Sequence, residues 1–208
     1  TVSPGSNVVR VFRNLGNLYF KDNTTNSVSP TNVAGALRLT VDDWDNDDLL
    51  DVILARAGQP PALLMKQRGG PLAVTNSPAD WPAGSLIAAG DFNNDLRADL
   101  VIGTSDKLVI VFGGMSQRLT MPLEGLSVTS LTVLDFDNDG WPDILIANDA
   151  MPNQLWINQK NGMFRDEAVI RGCAANVLGM SEANMGVAAA DLLQRGWRDI
   201  FITHLEGE

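Results

Sequence analysis

Three segments of the chain repeat one spacing of oxygen-bearing side chains: Asp43, Asp45, Asp47 and Asp51; Asp91, Asn93, Asp95 and Asp99; and Asp135, Asp137, Asp139 and Asp143. With the first residue of each taken as position 1, carboxylate or carboxamide groups occupy positions 1, 3, 5 and 9. Alternate residues then turn inward, and Leu49, Arg97 and Trp141 at position 7 offer a backbone carbonyl to the same centre. An all-oxygen set with several carboxylates suits a hard divalent cation, and calcium accepts irregular geometry more readily than magnesium does. Ca²⁺ at up to three sites is the expectation.

The EF-hand also uses positions 1, 3 and 5, but it closes with a bidentate Glu at position 12 between two helices. Here position 12 is Leu54, Ile102 or Ile146, so the Asp at position 9 must close the cage, directly before an apolar segment. Position 6 calls for a left-handed backbone, which Gly140 adopts freely, Asp48 tolerably and Leu96 poorly. Asn93 also removes a charge, so affinity should fall from the loop at Asp135 through that at Asp43 to that at Asp91. A fourth copy, Asp191 to Asp199, carries Leu193 and Arg195 at positions 3 and 5; it is expected to hold no ion, with Arg195 paired to Asp191 or Asp199 instead.

Isolated Asp-rich stretches are usually solvated turns, because Asp and Asn favour turns. Three in one register reverse that reading, since eleven ligand-position carboxylates would otherwise repel one another. Three Ca²⁺ would bring the formal charge from −10 to −4.

The loop starts lie 48, 44 and 56 residues apart. Val11-Phe12-Arg13-Asn14 with Phe20-Lys21-Asp22 returns 144 residues later as Leu155-Trp156-Ile157-Asn158 with Phe164-Arg165-Asp166, which is three periods. Each loop joins short apolar segments too brief for helices, such as 85–89 and 100–102, and these predict antiparallel hairpins. Further strands, for example 107–112 and 154–158, bring each unit to about four. Near-continuous apolar runs mean that both strand faces are covered, as in stacked β-propeller blades. The reading is all-β, with three complete repeats (34–84, 85–126 and 127–183), an outer part of a blade at 1–33 and an inner part at 184–208. Residues 167–184 are the least regular and predict a long loop or a short helix.

These loops, set in such hairpins, resemble the FG-GAP/VCBS repeats of calcium-binding β-propellers, including the integrin α-subunit head. The stretch from Asp135 to Glu208 is similar to the cartilage acidic protein-like branch, through Asn148-Asp149, Pro152-Asn153-Gln154-Leu155-Trp156, Gly186-Val187-Ala188-Ala189-Ala190-Asp191 and Thr203-His204-Leu205-Glu206-Gly207-Glu208. Phe112-Gly113-Gly114 echoes part of the FG-GAP signature. The resemblance implies loops that join the first and second strands of each blade, calcium on one rim, and an extracellular, secreted, periplasmic or cell-surface setting. Such propellers commonly have about seven blades, so the chain is expected to be part of a larger propeller rather than a closed four-bladed ring.

Composition narrows the function. A net charge of −10 repels a nucleic-acid backbone, and one cysteine, Cys173, with one histidine, His204, excludes multi-Cys or multi-His metal chemistry. No apolar run is long enough to span a bilayer, and the first residues lack the pattern of a signal peptide. His204 and Tyr19 read as structural, Cys173 as a buried hydrophobe, Trp141 and Trp197 as packing residues, and Asp149 and Asn153 as a polar turn. The expectation is a non-catalytic, calcium-stabilised binding or adhesion scaffold that presents its loops to a protein or glycan. The alternatives are a propeller-based polysaccharide lyase or hydrolase, and a peripheral subunit of a larger assembly with further blades or neighbouring chains at the termini.

Overall fold

The computed structural model describes residues 9–28, 33, 35–114, 117–123 and 128–205. The final Glu206-Gly207-Glu208 of the motif quoted above, and the first eight residues of the outer partial blade, lie outside them. The described chain is all-β apart from the single helical turn α1 (Thr24–Ser27).

Three four-stranded antiparallel sheets follow one another. The first comprises β3 (Ala36–Asp42), β4 (Asp51–Arg56), β5 (Gln59–Lys66) and β6 (Leu72–Asn76). The second comprises β7 (Leu86–Gly90), β8 (Asp99–Gly103), β9 (Lys107–Val111) and β10 (Arg118–Pro122). The third comprises β11 (Val128–Leu134), β12 (Asp143–Asn148), β13 (Gln154–Asn158) and β14 (Phe164–Asp166). Each is a meander in sequence order, as short segments joined by tight turns require. Two-stranded sheets flank them: β1 (Phe12–Asn14) with β2 (Phe20–Asp22), and β15 (Ala183–Ala190) with β16 (Asp199–Leu205).

The acidic loops open from one register in every unit. Asp42 pairs with Asp51, Gly90 with Asp99, Leu134 with Asp143 and Ala190 with Asp199, so position 9 always faces the residue before position 1. The first strands of successive sheets stand side by side, β3 beside β7, β7 beside β11 and β11 beside β15, which places the four loops on one edge of the stack.

The apolar runs are explained by two-sided burial. Leu100 and Ile102 of β8 join Ile53, Ala55, Leu63, Ile87 and Trp81 in a core between the first and second sheets. Val101 points the other way, into a core with Leu108, Ile110, Ile144 and Ile146 between the second and third. Leu145, next along β12, enters a third core with Leu155, Ile157, Ala168 and Ala174. Each central strand therefore feeds two cores by the twofold alternation of its side chains, and every such buried Leu, Ile or Val contributes about 1.5–3 kcal/mol.

Residues 167–182 form turns rather than a helix, held down by buried Ala168 and Ala174 while Val169 and Ile170 stay exposed.

Candidate metal centre

Each loop is wound by its own carboxylates. Position 1 accepts the backbone N–H groups of positions 5 and 6: Asp43 from Asp47 (3.0 Å) and Asp48 (2.8 Å), Asp91 from Asp95 (3.0 Å) and Leu96 (2.8 Å), and Asp135 from Asp139 and Gly140 (both 3.0 Å). Position 5 accepts the N–H of position 7, with Leu49, Arg97 and Trp141 each at 2.9 Å. Position 6 is left-handed, as expected, at φ 67° for Asp48, 65° for Leu96 and 86° for Gly140. Position 4 is left-handed too: Asn46, Asn94 and Asn138 lie at φ 60°, 57° and 57°, a requirement that the sequence reading missed although Asn, after Gly, is among the residues that tolerate it.

The position-9 carboxylates tie the loops to the sheets. Asp99 accepts Phe92 N–H and Gly113 N–H, both at 2.8 Å, and Asp143 accepts Phe136 N–H and Asn158 N–H, both at 2.8 Å. Asp51 does the same with Trp44 N–H (3.1 Å) and Lys66 N–H (2.6 Å). All three are buried, and one N–H comes from the loop start while the other comes from the end of the sheet's third strand (Lys66, Asn158) or just past it (Gly113). Burial, with neighbouring loop carboxylates adding to it, pushes Asp99 and Asp143 up to about 6 against those bonds. Asp45 and Asp137 at position 3 are also raised, first by desolvation and then by adjacent carboxylates.

Carboxylate oxygens converge in two of the loops. Asp43, Asp45 and Asp51 form one triad and Asp135, Asp137 and Asp143 another, each with oxygens within 4.8 Å of one another. Asp47 and Asp139 stand outside these triads. In the second loop Asn93 turns to Asp95, donating to its Oδ2 (3.0 Å) and accepting its N–H (3.1 Å), and Asp91, Asp95 and Asp99 make no comparable triad among the described residues. The triads fit a hard divalent cation: the donors are all oxygen, burial and then neighbouring carboxylates raise Asp45, Asp137 and Asp143, and the buried Oδ1 of Asp137 has no hydrogen-bond partner. Such an ion would neutralise the clustered charge.

In the fourth loop the Arg195 guanidinium donates to Asp199 Oδ1 at 2.7 Å, the pairing anticipated as one of two. Asp191 keeps the winding bonds, from Arg195 N–H at 2.9 Å and Gly196 N–H at 2.7 Å. Asp199 Oδ2 is left buried without a partner, because Leu192 N–H turns to Ala190 O.

Several partners were invisible in the sequence. Lys160 Nζ lies 2.9 Å from Asp139 Oδ2 and Arg171 Nη2 lies 3.6 Å from Asp137 Oδ2, and only the fold brings them there. His204 Nδ1 lies 3.5 Å from Glu182 Oε2. Asn153 is not simply a turn residue. It is buried, accepts Asn148 N–H (3.1 Å) and Asn184 Nδ2 (2.9 Å), and donates to Cys173 O (3.1 Å), fastening the third sheet to β15. Cys173 is half-buried with its thiol pushed up by burial, whereas Trp197 is 56% exposed rather than packed.

Consecutive four-stranded meanders, two-sided cores and acidic loops on one edge define a repeat protein of the β-propeller-like class. Residues 135–202 match the family model described as FG-GAP-like repeat. No curated protein matches the chain. Among solved structures the chain is similar to that described as BBS1N in complex with ARL6DN, soaked with lead, at a TM-score of 0.57 and 8% identity over 86% of this chain. The chain spans about half of that structure's length, 53%. At this identity the likeness concerns the fold alone.

Proposed function

We propose that this chain is a calcium-stabilised, non-catalytic binding scaffold of the extracellular or periplasmic space, presenting propeller loops to a protein or glycan. The observation that carries the reading is the pair of acidic triads, Asp43–Asp45–Asp51 and Asp135–Asp137–Asp143, repeated in the same register on one edge of the stack. The carboxylates that would hold Ca²⁺ also wind the loops and bridge strands, so the ion would act on stability rather than on a substrate. Millimolar calcium outside the cell would fill even weak loops.

The half-sheets favour partners at their edges. Among the described residues no strand pairs with the outer side of β16, and Phe201 and Leu205 are exposed on it. Leu37, Leu39 and Val41 are exposed on β3 at the other end. Unpaired edges and apolar faces of this kind are ordinarily covered, which supports further blades or a neighbouring chain.

Thermal unfolding in millimolar CaCl₂ and in EGTA tests the reading. Saturation at a hundred times Kd stabilises a folded chain by about 2.7 kcal/mol per site. Chelation should lower the melting temperature clearly, and Asp135→Ala should remove much of the calcium effect. Superimposable curves with and without calcium would end the proposal.

A further inference from the structure

We infer that Arg171 and Lys160 are built-in counter-ions of the third acidic loop that oppose an incoming Ca²⁺, and that filling this loop displaces Arg171 from Asp137 and so frees the turn at 167–174. The inference rests on the calcium reading of the loops and adds a control element to one of them.

The third loop differs from the first in what stands beside it. Lys160, two residues beyond the end of β13, reaches Asp139 Oδ2 at 2.9 Å. Arg171 comes from the irregular segment after β14; its Nη2 lies 3.6 Å from Asp137 Oδ2, its Nε donates to Glu167 Oε2 at 2.9 Å, and its guanidinium stands 5.7 Å from the Phe136 ring centroid. Glu167 is 4% exposed at its side chain and also pairs with Arg165, so it fixes Arg171 from below while Asp137 holds it from the loop. Among the described residues, none of the ion pairs reaches Asp43, Asp45, Asp47 or Asp51. The sequence alone ranks the third loop tightest because Gly140 suits its turn. The two cations oppose that ranking, since a divalent ion placed against Asp135, Asp137 and Asp143 would lie close to both positive charges.

The mechanical consequence follows from where Arg171 is anchored. Its own N–H donates to Glu167 O (2.9 Å), Gly172 N–H to Val169 O (3.2 Å) and Cys173 N–H to Ala168 O (3.0 Å). The guanidinium links this turn to the metal loop through side-chain contacts with Asp137 and Phe136. An ion that takes over Asp137 breaks the ion-pair part of that link. Exposed Val169 and Ile170 ride on the same turn, so the ion content of the rim would be read out in an apolar surface nearby.

Calorimetric Ca²⁺ titration of the 208-residue chain at low ionic strength, with Asp135→Ala marking the third site, tests this directly. Arg171→Met and Lys160→Met, which keep the apolar stems, should each tighten the Asp135-dependent site by about tenfold, an advantage that shrinks in high salt. Hydrogen exchange gives the second readout: calcium should speed exchange at Arg171, Gly172 and Cys173 in the parent chain, and change it little in Arg171→Met, where the link is already cut. If Ca²⁺ binds at an Asp135-dependent site with the same affinity in all three proteins, the counter-ion role is overturned and the calcium reading stands. Absence of any Asp135-dependent binding in every variant overturns both.

Discussion

The side-chain amide of Asn158, at the end of β13, donates to the backbone carbonyl of Phe92 at 2.9 Å, joining the third sheet to the start of the second acidic loop across 66 residues of sequence. The same amide reaches Pro142 O at 3.3 Å, while Asn158 N–H donates to Asp143 and its side-chain oxygen accepts Lys160 N–H. One buried carboxamide thus ties two adjacent loops to each other and to the sheet between them.

Asn158→Ala would leave the carbonyls of Phe92 and Pro142 without their donor in a site only 2% exposed. A loss of about 1–3 kcal/mol is expected, measured by urea unfolding. A change below the error of the midpoint would show that the link between the loops carries no stability.

Asp99 and Asp143 have values of about 6 against an ordinary 3.8. A folded-state value above the unfolded one means that the folded, ion-free chain keeps these protons longer. Their contribution to stability is complete below the unfolded value and is lost as pH rises through about 6. Glu167 and Asp191 are lowered and act in the opposite sense, so carboxyl-carbon NMR is the cleaner measurement. Midpoints near 6 are expected without calcium, moving down when the ion is added, because it binds the deprotonated form. Ordinary carboxylate midpoints in the ion-free protein would refute the assignment.

Leu96 holds a left-handed backbone at φ 65° while its side chain is 85% exposed. The conformation costs about 1–2 kcal/mol for an L-residue with a bulky side chain, and little burial is lost on replacement. Leu96→Asn should therefore stabilise the chain by about 0.5–1 kcal/mol, and Leu96→Ala much less. Equal melting temperatures for the Asn and Ala variants would argue that the turn is unstrained.

Gly113 sits where β9 ends, against the return of the second loop. A Cβ there would overlap the carbonyl oxygen of Ala98, which is backbone and has nowhere to move. Gly113→Ala should destabilise by about 1–3 kcal/mol and disturb the Gly113 N–H bond to Asp99. Gly140→Ala meets nothing within 4 Å but keeps φ at 86°, so its cost is that of the backbone alone. Comparing the two variants by chemical denaturation separates crowding from conformation, and equal losses would count against the overlap at Gly113.

Much of this was legible in one dimension. The spacing of Asp135, Asp137, Asp139 and Asp143 fixes which residues share a loop, and the apolar run after each loop announces a strand buried on both faces, as β8 and β12 are. Gly140 and Leu96 could be ranked at position 6 because backbone sterics act within a residue. The strands of three residues, β1, β2 and β14, carry too little pattern to be read as strands, although the 144-residue repeat marks their residues as equivalent.

What the sequence by itself determined is local: the hairpins, which residues share a loop and the all-β class, since each depends on contacts within about one repeat of the chain. The tertiary structure decided which charges meet. Arg171 beside Asp137, Lys160 beside Asp139, Asn158 on Phe92 and His204 opposite Glu182 are set by how sheets stack and where turns return. A spacing rule cannot encode them, because Coulomb and hydrogen-bond energies depend on distance in space and not on separation along the chain.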